Sequence, residues 1–260
     1  MTSRVAVVTG AGRGIGAATV AALLAQDYRV VAVDWCAGED GPVGYAQSTG
    51  DDLAATADDP RVRAVTGDVR DRAALDAAVR LAVDTWGRLD AAVAAAAVVL
   101  GGRPLWETPA ADLDLLWQID AVGVWNTAAA AVPALLAHGA GVDGRFVAIA
   151  SAAGHEGLYG LSAYNAAKHA VVGMVKGLAA DLVGTGVTAV AVSPGSTRTA
   201  MLDATADLYG LDHVTAFAEN QLLRRLLDPA EVAQVVALCC SRAGGVLTGQ
   251  EIRADGGFRP

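Results

Sequence analysis

The stretch R4-V-A-V-V-T9-G10-A-G12-R13-G14-I15-G16 decides how this chain folds. From Arg4 to Thr9, valine and alanine run on without polar alternation, the pattern of a short strand buried on both faces. Glycines end it, and a helical pattern follows from Ala17 to Gln26. Strand, glycine-rich turn and helix in that order make a phosphate cradle. Gly10 permits the tight turn. The bare positions Gly14 and Gly16 let a pyrophosphate approach the helix N-terminus, where free amides and the helix dipole favour negative charge. Beyond the helix, R29-V-V-A-V-D34 reads as a second strand ending on an acidic residue. A carboxylate there accepts hydrogen bonds from the adenosine ribose and repels a 2′-phosphate, so NAD is the expected carrier and NADP is less favoured. Arg13 pulls the other way, since a basic residue in this turn could reach such a phosphate. Its alternative is a solvated turn residue, and Asp34 decides for NAD.

Outward from this unit, strand and helix patterns alternate to the end, the mark of an α/β fold with a doubly wound parallel sheet in three layers. Further strands are expected at Val62–Thr66, Ala91–Ala95, Arg145–Ser151, Val187–Ser193 and Glu251–Ala254. Helices are expected at Asp71–Trp86, stopped by Gly87, from about Pro109 to Gly139, at Ser162–Val183 and at Pro229–Cys240. Between Ser196 and Leu227 the pattern weakens, as expected of a lid over a substrate. All 260 residues are expected to form one domain. Thr9, Asp34, Asp68, Ser151 and Ser193 fall at carboxyl ends of strands, the edge on which such sheets bind ligands.

Composition narrows the function classes. A net charge of −9 and a pI near 4.8 argue against a nucleic-acid or acidic-membrane surface. The mean hydropathy of +0.39 comes largely from alanine and valine. The apolar run Ala91–Leu100 covers about half a bilayer crossing. Ala121–Ala137 lacks charge but holds Asn126 and Pro133, and is expected as a helix buried against a neighbour, another subunit included. No membrane span and no signal peptide are read, and three cysteines without metal spacing (Cys36, Cys239, Cys240) fit a reducing cytoplasm. His138 and His213 have no metal-ligand partners at useful spacing, so no metal site is expected.

The chemistry is written in S151-A-A-G-H-E-G-L-Y-G-L-S-A-Y164-N-A-A-K168. Positions i and i+4 share a helix face, placing the Lys168 ammonium near the Tyr164 phenol. A charge roughly 4 Å away at an effective dielectric of about 20 is worth about 4 kcal/mol. That would lower the phenol by roughly three units from about 10, into the range of a working acid or base. Ser151 would hold a substrate oxygen while the proton moves. A Tyr-x-x-x-Lys pair alone is a weak signal; beside a hydride carrier it suits interconversion of a hydroxyl and a carbonyl.

With a strand-end serine, Tyr-x-x-x-Lys and T-G-x-x-x-G-x-G together, the chain resembles the short-chain dehydrogenase/reductase family over essentially its whole length. The resemblance implies Tyr164 as acid/base, Lys168 on the nicotinamide ribose, and a homotetramer. It places Gly10, Arg13 and Ile15 in the dinucleotide loop and Asp68-Val69 at the adenine. It likens Pro194-Gly195-Ser-Thr197-Arg-Thr199 to a family segment in which Thr199 holds the carboxamide. The end T248-G-Q-E-I-R-A-D255-G-G is also typical.

Three departures stand out. The family's Asn-Asn-Ala-Gly after the fourth strand is Ala94-Ala95-Ala96-Ala97 here. Its sheet-stabilising asparagine is gone, so that role must be filled otherwise or left out, while Ala95 backbone can still pass the cofactor. The family's fourth catalytic residue, an asparagine serving a proton relay largely through its backbone carbonyl, aligns with Asp120. An ionised Asp120 near Lys168 would offset part of the lysine's effect on Tyr164; the alternative has it facing away and bridging locally. Thirdly, residues 35–61 form an insertion whose path is expected over the adenosine half of the cofactor. It resembles that of the mycofactocin-associated branch, in which such an insertion goes with tightly held NAD and an external redox partner; the alternative is a variable surface loop.

His155 and Glu156 are expected near the pocket mouth, as substrate contacts or solvated loop residues. Trp106, Tyr159, Leu202 and Tyr209 would supply an apolar wall for a small hydrophobic or alicyclic alcohol or ketone. The leading expectation is an NAD-dependent secondary-alcohol oxidoreductase. The rival is a non-catalytic dinucleotide-binding sensor or scaffold of the same fold.

Overall fold

The computed structural model describes residues 3–137 and 143–260. Seven parallel strands form one sheet: β1 (Arg4–Thr9), β2 (Tyr28–Asp34), β3 (Val62–Thr66), β4 (Ala91–Ala94), β5 (Arg145–Ile149), β6 (Thr188–Pro194) and β7 (Glu251–Ala254). Their spatial order is β3-β2-β1-β4-β5-β6-β7. The order reverses between β1 and β4, which opens a crevice above their carboxyl ends.

Both faces are covered, so most strands are apolar throughout. Within β1, Val5 and Val7 join one core while Ala6 and Val8 join the other. The first core packs under α3 (Arg72–Trp86), α4 (Ala110–Leu116), α5 (Gly123–Leu136) and α6 (Ser162–Asp181). The second packs under α1 (Gly14–Ala25), α2 (Gly50–Thr56) and α8 (Pro229–Cys240). Stops follow local chemistry. Gly87 ends α3 in the left-handed region at φ 78°, which glycine adopts without steric cost. Thr49 and Asp52 cap α2 reciprocally.

Four expected features differ. Helix α1 begins at Gly14, so its first amides belong to the glycine turn itself. Strand β5 stops at Ile149, leaving Ser151 just past it at the start of a short 3₁₀ turn, Ala152–Gly154. The long helix is interrupted by π-helical Trp117–Val122 between α4 and α5. Its expected end near Gly139, with His138, lies outside the described residues. The weak 196–227 stretch holds α7 (Ala200–Leu208) and a 3₁₀ segment, Val214–Asn220. Its two ends pair with each other: Arg198 N–H donates to Leu227 O at 2.9 Å and Leu227 N–H to Ser196 O at 3.0 Å.

Ala110–Leu136 is long and apolar enough to cross a membrane by length and composition alone. Half of its most apolar window is buried in the first core, the packing of a core helix.

Candidate active site

The glycine turn is shaped by missing side chains. A Cβ on Gly16 would sit 1.9 Å from Gly10 O, and one on Gly10 would sit 2.6 Å from Ala96 N. Gly14, at φ 56°, leaves the mouth of α1 open, its nearest neighbour being the Thr199 methyl. Beside the turn, the Asp34 carboxylate accepts from Gly12 N–H (2.8 Å), Cys36 N–H (3.2 Å) and the Ser48 hydroxyl. A carboxylate offers about four acceptor sites, so Asp34 keeps room for a ribose hydroxyl. Open turn, helix N-terminus and strand-end carboxylate fit a dinucleotide without a 2′-phosphate.

Arg13 is a partly exposed residue of the glycine turn. Its Nη1 donates to Ala46 O at 2.6 Å and its guanidinium lies 5.9 Å from the Tyr45 ring centroid. It ties the insertion down. Past β3, Asp68 is engaged by Arg70, whose Nε and Nη2 donate to Oδ2 at 2.8 and 2.5 Å, and Arg70 in turn lies over Trp35 at 4.7 Å. Part of the insertion turns inward: Val43 and Ser48 are buried and Tyr45 packs against the first core.

Across the crevice, Ala95–Val99 carries the loss of the asparagine pair. Thr9 Oγ1, at the end of β1, accepts from Ala95 N–H (3.2 Å) and Ala96 N–H (3.5 Å). Asp120 Oδ1 accepts from Val98 N–H at 2.9 Å, and the Tyr45 hydroxyl from Val99 N–H at 3.0 Å.

Ser151, Tyr164 and Lys168 come together, and Asp120 joins them from behind. The Lys168 ammonium donates to Ile149 O at 3.3 Å, lies 3.3 Å from Asp120 Oδ2, and is 5.5 Å from the Tyr164 ring centroid. Lys168 is 1% exposed and Asp120 0%. Asp120 therefore faces the lysine, and the local-bridge alternative falls. The π-helical turn carries it there, a distortion frequent at functional sites. Ser151 Oγ accepts from Ala153 N–H at 3.1 Å, and the Tyr164 hydroxyl points toward Met201 Sδ at 4.0 Å.

The expected lowering of the Tyr164 phenol is corrected. Burial pushes it above its ordinary value; Lys168 pulls it down, Asp120 pushes it up, and the Ser151 hydrogen bond pulls it down, with the raising side ahead. The expectation weighed the lysine charge and a partial offset from Asp120 but left out burial, which is the largest cause. For Lys168, burial disfavours the charge but Asp120 and Tyr164 outweigh it, so the ammonium is held above its ordinary value. Burial raises Asp120, against the opposing pull of Lys168 and the Val98 amide.

A cavity of about 800 Å³ runs along this crevice, within the ~300–1,000 Å³ of ligand sites. Gly10, Arg13, Gly14, Ile15, Gly16, Asp34, Asp68, Val69 and Ala95 line it from the first half of the sheet. Ser151, Tyr164, Lys168, Pro194, Gly195, Thr197 and Thr199 line it from the second. Of the catalytic and cofactor-binding candidates, only Asp120 does not reach the cavity surface. Thr199 caps α7, accepting from Leu202 N–H at 3.3 Å, and its methyl faces the open side of Gly14. At the far end Leu158, Tyr159, Leu161, Met201, Leu202, Tyr209 and Phe217 form an apolar wall. Trp106 is not part of it, being 81% exposed beyond the rim. His155 turns away from the cavity: its Nδ1 lies 2.6 Å from Glu251 Oε1 and its Nε2 3.7 Å from Asp255 Oδ2. Glu156 is not in the lining either. Among the described residues, no group of three or more His, Cys, Asp or Glu side chains is placed to hold a metal ion.

The sequence reading missed Thr9 as an anchor, and also Tyr45, Ser48, Met201 and Phe217. Thr9 stood inside the quoted motif and Tyr45 inside the insertion, so their positions were visible and their partners were not.

Comparison with known proteins bears on this geometry. Residues 10–259 match the family model described as enoyl-(acyl carrier protein) reductase. An uncharacterized NAD-dependent oxidoreductase of Mycobacterium tuberculosis is 33% identical over 264 residues, covering 98% of this chain and 95% of that protein. A Mycolicibacterium smegmatis protein named as a short-chain type dehydrogenase/reductase is 30% identical, with 98% of this chain and 96% of that protein covered. Among solved structures, carveol dehydrogenase from Mycobacterium avium in complex with NAD superposes with a TM-score of 0.89 at 31% identity, over 99% of this chain and 98% of that one.

Proposed function

The chain belongs to the short-chain dehydrogenase/reductase family, an oxidoreductase acting on CH–OH groups, and on that footing we propose that it interconverts a secondary alcohol and a ketone with NAD. One observation carries the reading: Ser151, Tyr164 and Lys168 line the same cavity as the open glycine turn and Asp34. NAD, when bound, supplies the hydride chemistry. Gly10, Arg13, Gly14, Ile15 and Gly16 would hold it along the turn, Asp34 at the ribose, Asp68 and Val69 at the adenine. Ala95, Pro194, Gly195, Thr197 and Thr199 would frame its other end. The relative and the solved neighbour that carry NAD in their names support this choice of cofactor, as does the Asp34 carboxylate at the end of β2.

In the reducing direction the Tyr164 hydroxyl donates its proton to the carbonyl oxygen, while the Ser151 hydroxyl donates a hydrogen bond to the same oxygen. The buried Lys168 ammonium stabilises the phenolate left behind. Asp120 and Ile149 O hold that ammonium in place. Burial holds the phenol above its ordinary value, so Tyr164 is protonated at neutral pH, the form from which the reducing direction starts. The apolar wall supports a small hydrophobic or alicyclic substrate, and the paired ends of 196–227 support that segment as its lid. Exposed Trp117 and Trp125 on the long helix support the homotetramer, and free cysteines a cytoplasmic setting.

The test is Tyr164→Phe. Turnover of NAD with a panel of cyclic and linear secondary alcohols should fall by roughly 10²–10⁴-fold, with NAD affinity unchanged. Equal, negligible turnover in native and variant proteins over the panel would instead favour the non-catalytic, dinucleotide-binding reading.

A further inference from the structure

We infer that Tyr45, contributed by the insertion, is a positioning residue for the catalytic centre, holding the Val99 amide so that Asp120 stays between the Val98 amide and Lys168. The inference deepens the dehydrogenase reading and rests on it. The Ala94-Ala95-Ala96-Ala97 run carries no side chain able to fix the segment after β4, so its order comes from outside. Four of its amides each end on a side-chain oxygen: Ala95 and Ala96 on Thr9, Val98 on Asp120, Val99 on Tyr45.

Adjacent amides on two different oxygens form a clamp. If Val99 is released, Val98 is free to turn, and Asp120 Oδ1 loses the donor that aims Oδ2 at the lysine 3.3 Å away. Tyr45 is itself held from the far side, by Arg13 over its ring and by the Arg13 bond to Ala46 O. The insertion is thus linked to the catalytic lysine through Tyr45, the Val99 and Val98 amides and Asp120. The hydroxyl is a durable donor-acceptor, since burial, with help from Asp120 and against the Val99 hydrogen bond, pushes Tyr45 up to about 12. The groups acting on the Tyr164 phenol are Lys168 and Asp120 by charge and Ser151 by hydrogen bond, with Met201 in contact.

The experiment compares the full-length protein with Tyr45→Phe, Asp120→Asn and the double variant, all checked for equal melting behaviour. Hydrogen exchange by mass spectrometry should show the 95–99 peptide exchanging roughly tenfold faster in Tyr45→Phe, because one buried amide has lost its acceptor. With NAD and cyclohexanol as the probe, the midpoint of the pH profile of kcat should fall in Tyr45→Phe, as the carboxylate that opposes Lys168 loosens. KM for cyclohexanol should stay within about twofold, since Tyr45 lies off the substrate wall. In the Asp120→Asn background, Tyr45→Phe should add no further shift. Unchanged exchange at 95–99, or additive pH shifts in the double variant, would overturn the clamp. Absence of turnover in the native protein would sink the dehydrogenase reading alone, and the exchange measurement would then decide the clamp by itself.

Discussion

Two neighbouring loops at the carboxyl ends of β1 and β4 are built on opposite plans. The glycine turn, Gly10–Gly16, takes its shape from side chains that are absent, and its tightest contacts are backbone on backbone. The segment Ala95–Val99 takes its shape from side chains that others supply: Thr9, Asp120 and Tyr45. The two touch, since a Cβ on Gly10 would strike Ala96 N at 2.6 Å. One loop is therefore rigid by its own sequence, and the other only by its surroundings. Substitutions should hurt the first by adding atoms and the second by removing hydrogen-bond acceptors.

The largest effect is expected from Gly16→Ala. Its methyl would lie 1.9 Å from Gly10 O, a backbone atom that cannot move without opening the turn. A stability loss of about 3 kcal/mol or more is expected, with loss of NAD binding, in urea melts and cofactor titration. Gly14→Ala is its internal control. It meets only the Thr199 methyl at 3.3 Å but must hold φ 56°, so about 1–2 kcal/mol is expected. Equal losses at the two positions would break the claim that steric closure shapes this turn. Thr9→Val comes next. It keeps the volume of a side chain 1% exposed and strips the acceptor from two amides. About 2 kcal/mol of stability should go, with NAD affinity within a few-fold of native. A neutral result would mean that the segment after β4 orders itself.

The same contrast explains what the sequence made visible. Gly10 to Gly16 and Tyr164 to Lys168 act over a few positions, and so does the stop at Gly87, so spacing alone exposed them. Asp34 followed because it ends the next strand. The anchors of the β4 segment act over long separations: Val98 to Asp120 spans 22 positions, Val99 to Tyr45 54, and Ala95 to Thr9 86. No local pattern encodes such pairs. Arg13 was visible as a residue, but its partner Ala46 sits 33 positions on, in the insertion. The π-helical turn at Trp117–Val122 leaves no mark in apolar periodicity, and it is what aims Asp120. The Tyr164 phenol was misjudged for a related reason, since burial is a property of the whole fold.

The smallest effect, and the most diagnostic for the second loop, is expected from Asp120→Asn. The amide oxygen can still accept from Val98 N–H, so the segment keeps its anchor and only the charge goes. The sign follows from the causes acting on Tyr164. Burial raises the phenol, Lys168 lowers it and Asp120 raises it, so removing the carboxylate takes away one of the two raising causes and the phenol falls. Alcohol oxidation needs the phenolate, and its rate rises as pH climbs through that midpoint; the profile should therefore move to lower pH. Ketone reduction needs the phenol and should fade at a lower pH than in the native protein. Near neutrality the rate change should be smaller than the roughly 10²–10⁴-fold worth of the acid–base group itself. Lys168 stays fully buried, and Ile149 O still accepts from it. If the oxidation profile moved to higher pH, or all activity vanished in a folded variant, Asp120 would be doing more than opposing the lysine, and the β4 segment would owe its catalytic role to that charge rather than to the hydrogen bond.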